Sequence, residues 1–176
     1  MKPPSTAEIV KAIFLLPFMV TVVIPFLMYG LSSNFLPSFF SSINKSALFA
    51  TGMLLLGIGL VLFISSVVLF VRIGKGTLAP WNPTRKLVVK SLYRHMRNPM
   101  ILGVLCILLG ESLLLASFTI LVWAIFFFVL NHCYFIWKEE PDLTKRFGEE
   151  YKIYKKNVPR WLPRIKGWYP EKEKPV

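Results

Sequence analysis

The sequence has few charged residues and almost no cysteine. Only 17% of its 176 residues are Asp, Glu, Lys or Arg, whereas a soluble globular domain carries about a quarter. The two cysteines, Cys106 and Cys133, both lie within apolar stretches. This usage argues against a disulfide framework and against a zinc site, so no metal ligands are predicted. Among the charged residues the acidic ones are few. The chain has nine Asp and Glu and 21 Lys and Arg, which gives a formal net charge of +12.

What the chain has instead is long apolar runs. Ala12–Leu31 has 20 residues without a charge, Ala47–Val71 has 25, and Met100–Trp137 has 38 in which Glu111 is the one carboxylate. Uninterrupted runs of about 18 or more apolar residues are typical of transmembrane helices. The sequence therefore excludes a soluble enzyme, a secreted disulfide scaffold and a disordered tail. It predicts an all-α, polytopic membrane protein.

Two spans are predicted in the N-terminal half. The first run, Ile9–Leu31, is longer than a signal-peptide core, so it is interpreted as a retained helix that is kinked at Pro17 and Pro25. The second span is Ala47–Ile73. Its glycines either permit close contact with another helix or are scattered over a lipid-facing surface, and both interpretations stay open. These glycines are Gly52, Gly57 and Gly59.

The third run is too long for one helix. At 1.5 Å per residue its 38 residues would reach roughly 57 Å, nearly twice a hydrocarbon core of about 30 Å. The polar cluster Ser112–Ser117 indicates a tight hairpin near Ala116–Thr119. The hairpin divides the run into two spans, Met100–Leu115 and Phe118–Trp137, so four spans are predicted in all.

Basic residues are concentrated in two segments. The second loop, Arg72–Arg97, carries seven Lys and Arg, and the tail after Trp137 carries eleven, whereas the first loop, Ser32–Ser46, carries one. The positive-inside rule then predicts that the second loop, the tail and both termini are cytoplasmic. We interpret the positive charge as facing anionic lipid. No nucleic-acid binding is predicted, because no basic–aromatic recognition motif is present.

The chain 1–176 is thus predicted to form a single membrane domain. Residues 1–73 make the two N-terminal spans, and residues 74–176 make a cofactor-binding loop, the helical hairpin and a cytoplasmic C-terminal segment. A site for a polar small molecule has to be built from the two charged segments, Gly74–Pro99 and Lys138–Val176. The sequence does not indicate the oligomeric state.

The first charged segment ends at a predicted helix start. Asn98 is a favourable N-cap residue, and Pro99 is a favourable first helical residue. The free amides of such a helix start can hold an anion or a carboxylate. The alternative is that both residues only cap a membrane helix.

The second charged segment has the period of an amphipathic helix. Five residues recur at spacings of 4, 4, 3 and 4, and they are Leu143, Phe147, Tyr151, Tyr154 and Val158. The plainest interpretation is a helix that lies on the bilayer surface and stops at Pro159, with Trp161, Trp168 and Tyr169 as interfacial anchors. Two adjacent carboxylates, which are Glu139 and Glu140, come just before it. They are either solvated, or they bind the hydroxyls of a ribose or balance a cation.

A set of residues in these two segments is in register with a known pair of signatures. It comprises Arg97, Pro99, Gly103, Glu139, Glu140, Leu143, Phe147, Gly148, Tyr151, Tyr154, Val158 and Pro159. The pattern resembles that of the integral membrane methyltransferases that include isoprenylcysteine carboxyl methyltransferase and the phospholipid N-methyltransferases. The stretch Gly76–Pro83 also looks like bacterial members. The resemblance covers about residues 72–166.

The resemblance implies methyl transfer from S-adenosylmethionine, bound on the cytoplasmic side, to a lipophilic or membrane-embedded acceptor. The residues that it implies for cofactor binding are Arg85, Lys86, Leu87, Val88, Tyr93, Arg97, Asn98, Pro99, Met100, Ile101, Gly103 and Glu139. An amine or hydroxyl acceptor needs a general base, whereas a carboxylate does not. The candidate catalytic residues are His132 and Glu140, and the alternative for His132 is a hydrogen-bonded residue between helices.

Two departures from the family pattern bear on the acceptor. Asn98 stands where a histidine is often found, and asparagine cannot titrate. Phe135 stands about where the prenylcysteine enzymes have an arginine for the substrate carboxylate, which disfavours a prenylcysteine acceptor. A lipid amine and a small apolar thiol or carboxylate remain open. The alternative function is a non-enzymatic membrane scaffold or transport-associated protein that retains the fold.

Overall fold

The computed structural model describes residues 14–31, 40, 43–74 and 87–170, and every regular element in these ranges is helical. In chain order the elements are a π-helical segment, Phe14–Val23; α1, Ile24–Leu31; α2, Lys45–Leu69; a π-helical turn, Phe70–Gly74; a 3₁₀ turn, Ser91–Arg94; α3, Pro99–Leu114; α4, Phe118–Tyr134; a π-helical turn, Phe135–Glu139; and α5, Glu140–Asn157. The all-helical fold class is thereby confirmed for the described residues.

The prolines of the first segment change its helical register. Pro17 lies inside the π-helical segment, and Pro25 follows its end. Proline has no N–H, so it leaves a carbonyl of the preceding turn without its helical donor. Thr21 Oγ1 donates to the Pro17 carbonyl at 2.8 Å, which adds a side-chain hydrogen bond to the altered turn. The expected kinks therefore take the form of wide helical turns.

Glycines bring α2 and α3 into close antiparallel contact. A methyl group at Gly59 would lie 2.7 Å from the carbonyl oxygen of Gly103, and one at Gly110 would lie 2.8 Å from that of Gly52. The glycines of each helix are seven residues apart, about two turns, so the two pairs face each other. No atom lies within 4 Å of a methyl group at Gly57. Close helix contact thus applies to Gly52 and Gly59, and Gly57 is on an open surface.

The predicted hairpin is present, with its turn between α3 and α4. Ala116 has a φ of 45°, and the Ser117 N–H donates to the Ser112 carbonyl at 2.8 Å. The Ser117 hydroxyl accepts from the Ile120 N–H at 3.4 Å and caps α4. Both serines are fully buried. The polar cluster that predicted the hairpin therefore provides hydrogen bonds inside the turn.

Helix α5 is amphipathic as predicted, but it bends at Gly148. Its φ of 55° and ψ of −130° belong to a region that residues with a side chain rarely adopt. Beyond the bend, Tyr151, Tyr154 and Val158 are buried against Val89. The apolar face therefore contacts the loop before α3, whereas the simple prediction laid it on the bilayer.

The aromatic residues expected to be interfacial anchors also contact protein. Trp161, Trp168 and Tyr169 each have a partner side chain within the chain. The strongly exposed apolar side chains of this end are instead Trp137, Leu162 and Ile165. Periodicity and aromatic type alone did not distinguish these two sets.

In the described part of the chain, two helices are long and apolar enough to cross a membrane. They are Lys45–Leu69 and the helical stretch Phe118–Asn157, which comprises α4, the π-helical turn and the bent α5 and whose charged part begins at Lys138. Pro17–Gly30 and Pro99–Leu114 are apolar but shorter. The four-span arrangement, the side on which the termini lie and the single-domain organisation stay predictions.

Candidate functional site

A cavity of about 750 Å³ lies between the helices and the charged segments. This volume is within the range of about 300–1,000 Å³ that is typical of small-molecule sites. One end is polar, and its lining residues include Arg97, Asn98, Asn131, Lys138, Glu139, Asp142, Lys145 and Arg146. The other end lies among the apolar helices, and its lining residues include Val20, Phe63, Val104, Trp123, Phe126 and Phe127. The site is therefore amphipathic along its length.

Most of the residues predicted to bind the cofactor line this cavity. They are Leu87, Val88, Tyr93, Arg97, Asn98, Met100, Ile101 and Glu139. Pro99 is fully buried and Gly103 packs against Gly59, and neither lines the cavity. Arg85 and Lys86 lie outside the described residues. Asn98 and Glu139 come from different charged segments, yet both line the same cavity.

The start of α3 faces the cavity with its first turn. Asn98 is the N-cap residue, but its side chain makes no capping hydrogen bond. Pro99 is the first helical residue, as predicted, and it has no N–H to satisfy. The N–H groups of Met100 and Ile101 belong to the first turn, where N–H donors have no acceptor within the helix. This turn therefore offers amide donors to an acceptor group of a ligand.

Backbone hydrogen bonds from the C-terminal segment hold this helix start in place. The Arg97 N–H donates to the Pro159 carbonyl at 2.9 Å, and the Asn98 N–H donates to the Arg160 carbonyl at 3.3 Å. The Trp168 N–H donates to the Arg94 carbonyl at 2.9 Å. The chain after α5 thus fixes one wall of the cavity.

Tyr93 forms part of the same wall and is almost completely buried. Its carbonyl accepts from the Tyr154 hydroxyl at 2.7 Å, and its ring lies 5.5 Å from that of Phe70. Burial raises the pKa of Tyr93, although a hydrogen bond with Ser66 opposes the shift. The phenol is therefore neutral near pH 7, and an aromatic ring in such a wall can stabilise a ligand cation.

Glu139 is the last residue of the π-helical turn after α4, and it lines the cavity. Burial and the negative charge of Glu140 raise the pKa of Glu139 to about 7, and Arg146 opposes the shift. The raised pKa means that ionisation at this position is costly. A ligand that brings positive charge or hydroxyl donors compensates for the lost water.

Glu140, a predicted catalytic residue, has a different environment. Its side chain is 5% exposed, and Oε1 accepts from Arg97 Nη1 and from Arg160 Nε, each at 2.7 Å. Oε2 lies 2.7 Å from Lys155 Nζ. Burial by itself would raise the pKa of Glu140, but the bonds from Lys155 and Arg160 and the charge of Arg97 outweigh it and lower the pKa.

This ion cluster favours a structural role for Glu140, and its catalytic role stays a prediction. A carboxylate that three cations hold ionised does not readily accept a proton. Glu140 is also absent from the lining of the cavity. Arg97 extends the cluster to the cavity wall, because it lines the cavity itself. Its Nε also donates to the Val158 carbonyl at 2.9 Å. The cluster joins α5, the start of α3 and the C-terminal segment.

His132, the other predicted catalytic residue, does not line the cavity either. Its Nδ1 accepts a hydrogen bond from Trp161 Nε1 at 3.0 Å, and its ring lies 5.9 Å from that of Phe128. Since the indole can only donate, the neutral imidazole carries its proton on Nε2. The geometry matches the alternative interpretation, in which His132 is a hydrogen-bonded residue between segments.

Asn131 and Arg146 are among the polar residues of the cavity wall that sequence reasoning missed. Asn131 comes eight residues before Glu139, and Arg146 comes seven residues after it. Either spacing is about two helical turns, so the three residues share a face. That spacing was the signal that would have found them. The partners of Glu140 had no such signal, because Arg97 and Arg160 reach it only through tertiary structure.

The fold and the cavity define an all-helical protein with helices of membrane-spanning length and a site that joins a charged end to an apolar end. Residues 47–150, more than half of the chain, match the family model described as Phospholipid methyltransferase. The chain belongs to this family, and the resemblance seen in its two charged segments is confirmed. Membership indicates a methyltransferase that acts at a membrane.

One further similarity covers only part of the chain. Over 63 residues the sequence is 38% identical to an uncharacterized protein of Haemophilus influenzae, which corresponds to 36% of this chain and 100% of that protein. No solved structure matches the chain significantly.

Proposed function

We propose that the protein transfers a methyl group from S-adenosylmethionine to a lipophilic acceptor at the cytoplasmic face of a membrane. One observation carries the proposal: both charged segments line a single cavity, and that cavity continues between apolar helices. A soluble cofactor and a lipid-like acceptor require such opposite environments side by side. The density of Lys and Arg at the polar end supports a cytoplasmic location for it.

The residues at the polar end fit this cofactor. When it is bound, S-adenosylmethionine supplies a methyl group on a positively charged sulfur. Glu139 and the ring of Tyr93 offer a carboxylate and an aromatic wall to a cation or to ribose hydroxyls. The first turn of α3, with Met100 and Ile101, offers amide donors to a carboxylate.

The rest of the cavity has to align the acceptor and exclude water. Its apolar lining residues, among them Val104 and Phe127, leave few partners for bulk water near the reacting atoms. Neither His132 nor Glu140 lines the cavity. An acceptor that is nucleophilic without a separate base, such as a carboxylate or thiolate, therefore fits this site better than an alcohol.

A lateral opening gives the acceptor a route from the bilayer. Phe126, Leu130 and Tyr134 lie four residues apart on α4, and they are 53%, 52% and 42% exposed. The same three side chains line the cavity. A chain dissolved in the membrane can therefore reach the cavity across this face of α4 without passing through water.

Isothermal titration of the purified protein with S-adenosylmethionine tests the proposal. We expect the wild type to bind one equivalent, and Glu139→Gln to weaken binding at least about tenfold, the size of one charged hydrogen bond. Glu150→Gln is the matched control, because Glu150 is an exposed glutamate on the same helix and does not line the cavity.

Two outcomes would count against the proposal. Folded wild type that gives no binding signal overturns the cofactor assignment. Binding without transfer of labelled methyl to any component of a membrane lipid extract favours the alternative, a membrane scaffold or transport-associated protein.

A further inference from the structure

The apolar end of the cavity has a defined floor. We define the floor by four lining residues, one from each apolar helical segment, and they are Val20, Phe63, Val104 and Trp123. Among the described residues, no part of α3 after Val104 and no part of α4 before Trp123 lines the cavity. Between α3 and α4 the cavity therefore ends at this level.

A hydrogen bond crosses the floor. Trp123 Nε1 donates to the Val20 carbonyl at 3.1 Å. Val20 lies in the π-helical segment, where the donor to its carbonyl would come from position 25, and Pro25 has no N–H. Because an unpaired carbonyl is costly in an apolar environment, the indole replaces the missing backbone donor.

The Trp123 ring is fixed on its face as well. It stacks on Phe126, with ring centroids 5.7 Å apart and an angle of 30° between the planes. Both its orientation and its position across the cavity are thus determined by neighbours. A side chain held in this way acts as a rigid end wall.

We propose that Trp123 determines acceptor specificity. Its ring ends the apolar part of the cavity, which we call the arm and which takes one apolar chain of limited length. This inference rests on the proposed function, and it names the substrate class as a single-chain amphiphile. From Trp123 to Asn131, the first polar residue on the α4 side, the arm is about 12 Å long.

The volume of the cavity is consistent with one apolar acceptor chain bound beside the cofactor. A drug-sized ligand already needs a cleft of about 300 Å³ or more, and the nucleoside cofactor takes that share at the polar end. The remainder of the cavity of about 750 Å³ holds a single chain beside it.

Native mass spectrometry of the purified protein with a series of saturated fatty acids, from six to eighteen carbons, tests the inference. We expect one probe per protein, with a preferred chain length that matches the arm. Trp123→Ala opens the floor, so the preferred length should increase and the longest probes should bind about tenfold more tightly, the effect of burying two further methylenes. Trp123→Phe keeps a ring but loses the donor, and we expect a smaller shift in the same direction.

Trp137→Ala is the matched control, because Trp137 is an exposed tryptophan outside the cavity. It should leave the length preference unchanged. The inference is overturned if folded Trp123→Ala and Trp123→Phe keep the wild-type preference, if two probes bind per protein, or if the wild type binds none.

Titration with S-adenosylmethionine in the same preparations separates this inference from the proposed function. A length shift without cofactor binding overturns the proposed function alone. Cofactor binding with an unchanged length preference overturns the role of Trp123 alone.

Discussion

Glu139 and Glu140 are neighbours in the chain but have opposite electrostatic environments. Glu139 faces the cavity, and burial together with the charge of Glu140 raises its pKa to about 7. Glu140 faces Arg97, Arg160 and Lys155, which lower its pKa. Environments that separate the pKa values of two adjacent carboxylates give them separate roles. One is available to a ligand, and the other holds the fold.

The raised pKa of Glu139 predicts that cofactor binding depends on pH. A cationic sulfonium favours the ionised carboxylate, so affinity should rise about tenfold between pH 6 and pH 8. Glu139→Gln should remove this part of the dependence. Titration calorimetry across this range measures both, and equal pH profiles for wild type and variant would contradict the assignment.

Glu139 should also make the stability of the folded protein depend on pH. Its contribution to the free energy of unfolding should fall as the pH rises, whereas the cofactor affinity should rise. The folded-state pKa of about 7 is above the ordinary value of 4.5, so the folded protein binds more protons. The contribution of Glu139 to stability is therefore greatest below pH 4.5 and is lost as the pH rises through 7. Thermal unfolding should show Glu139→Gln to be more stable than wild type at pH 8, with no such gain at pH 4.

Glu140→Gln is expected to destabilise the protein by about 3 kcal/mol, because it leaves the Arg97 and Arg160 guanidinium groups without their shared carboxylate. The lowered pKa means that this contribution is present above pH 4.5 and is lost as the pH falls below it. Thermal unfolding measures the change, with exposed Glu150→Gln as control. A Glu140→Gln protein as stable as wild type but without methyl transfer would restore the catalytic role predicted from sequence.

At the scale of elements, the glycine pairs set how closely α2 and α3 approach. We expect Gly59→Ala to destabilise the protein by about 1–3 kcal/mol, since its methyl group would lie 2.7 Å from the Gly103 carbonyl oxygen. Gly57→Ala is the control, because no atom lies within 4 Å of its methyl group and alanine favours a helix. Thermal unfolding of the two variants measures the difference, and equal stabilities would contradict the packing role.

The sequence predicted elements better than their internal irregularities. Charge-free runs and the polar cluster at 112–117 were enough for the helices and the hairpin, because they depend on local composition. The bend at Gly148 and the π-helical turn Phe135–Glu139 were not predicted. Both are small changes of register that tertiary contacts select, and the apolar period is nearly the same with or without them.

For the whole molecule, the cavity brings together the two charged segments that carry the family resemblance. The residues of one wall of the cavity, from Tyr93 to Ile101 and Glu139, could be predicted from the spacing of the motif residues in the sequence. The apolar arm was not predictable residue by residue. Val20 and Trp123 lie 103 positions apart, and only the packing of the helices brings them together.

Membrane topology is a property of the whole chain, and it stays a prediction. Four spans require the hairpin turn at Ala116 and the charged segment around Lys166 to lie on opposite sides of the membrane. We expect Ala116→Cys and Lys166→Cys, in a chain whose Cys106 and Cys133 are replaced by alanine, to react with a membrane-impermeant maleimide from opposite faces of sealed vesicles. Labelling of both positions from the same face would contradict the four-span arrangement. It would also remove the charge asymmetry as support for a cytoplasmic cofactor site, and the lateral opening at Phe126, Leu130 and Tyr134 would then need a different relation to the bilayer.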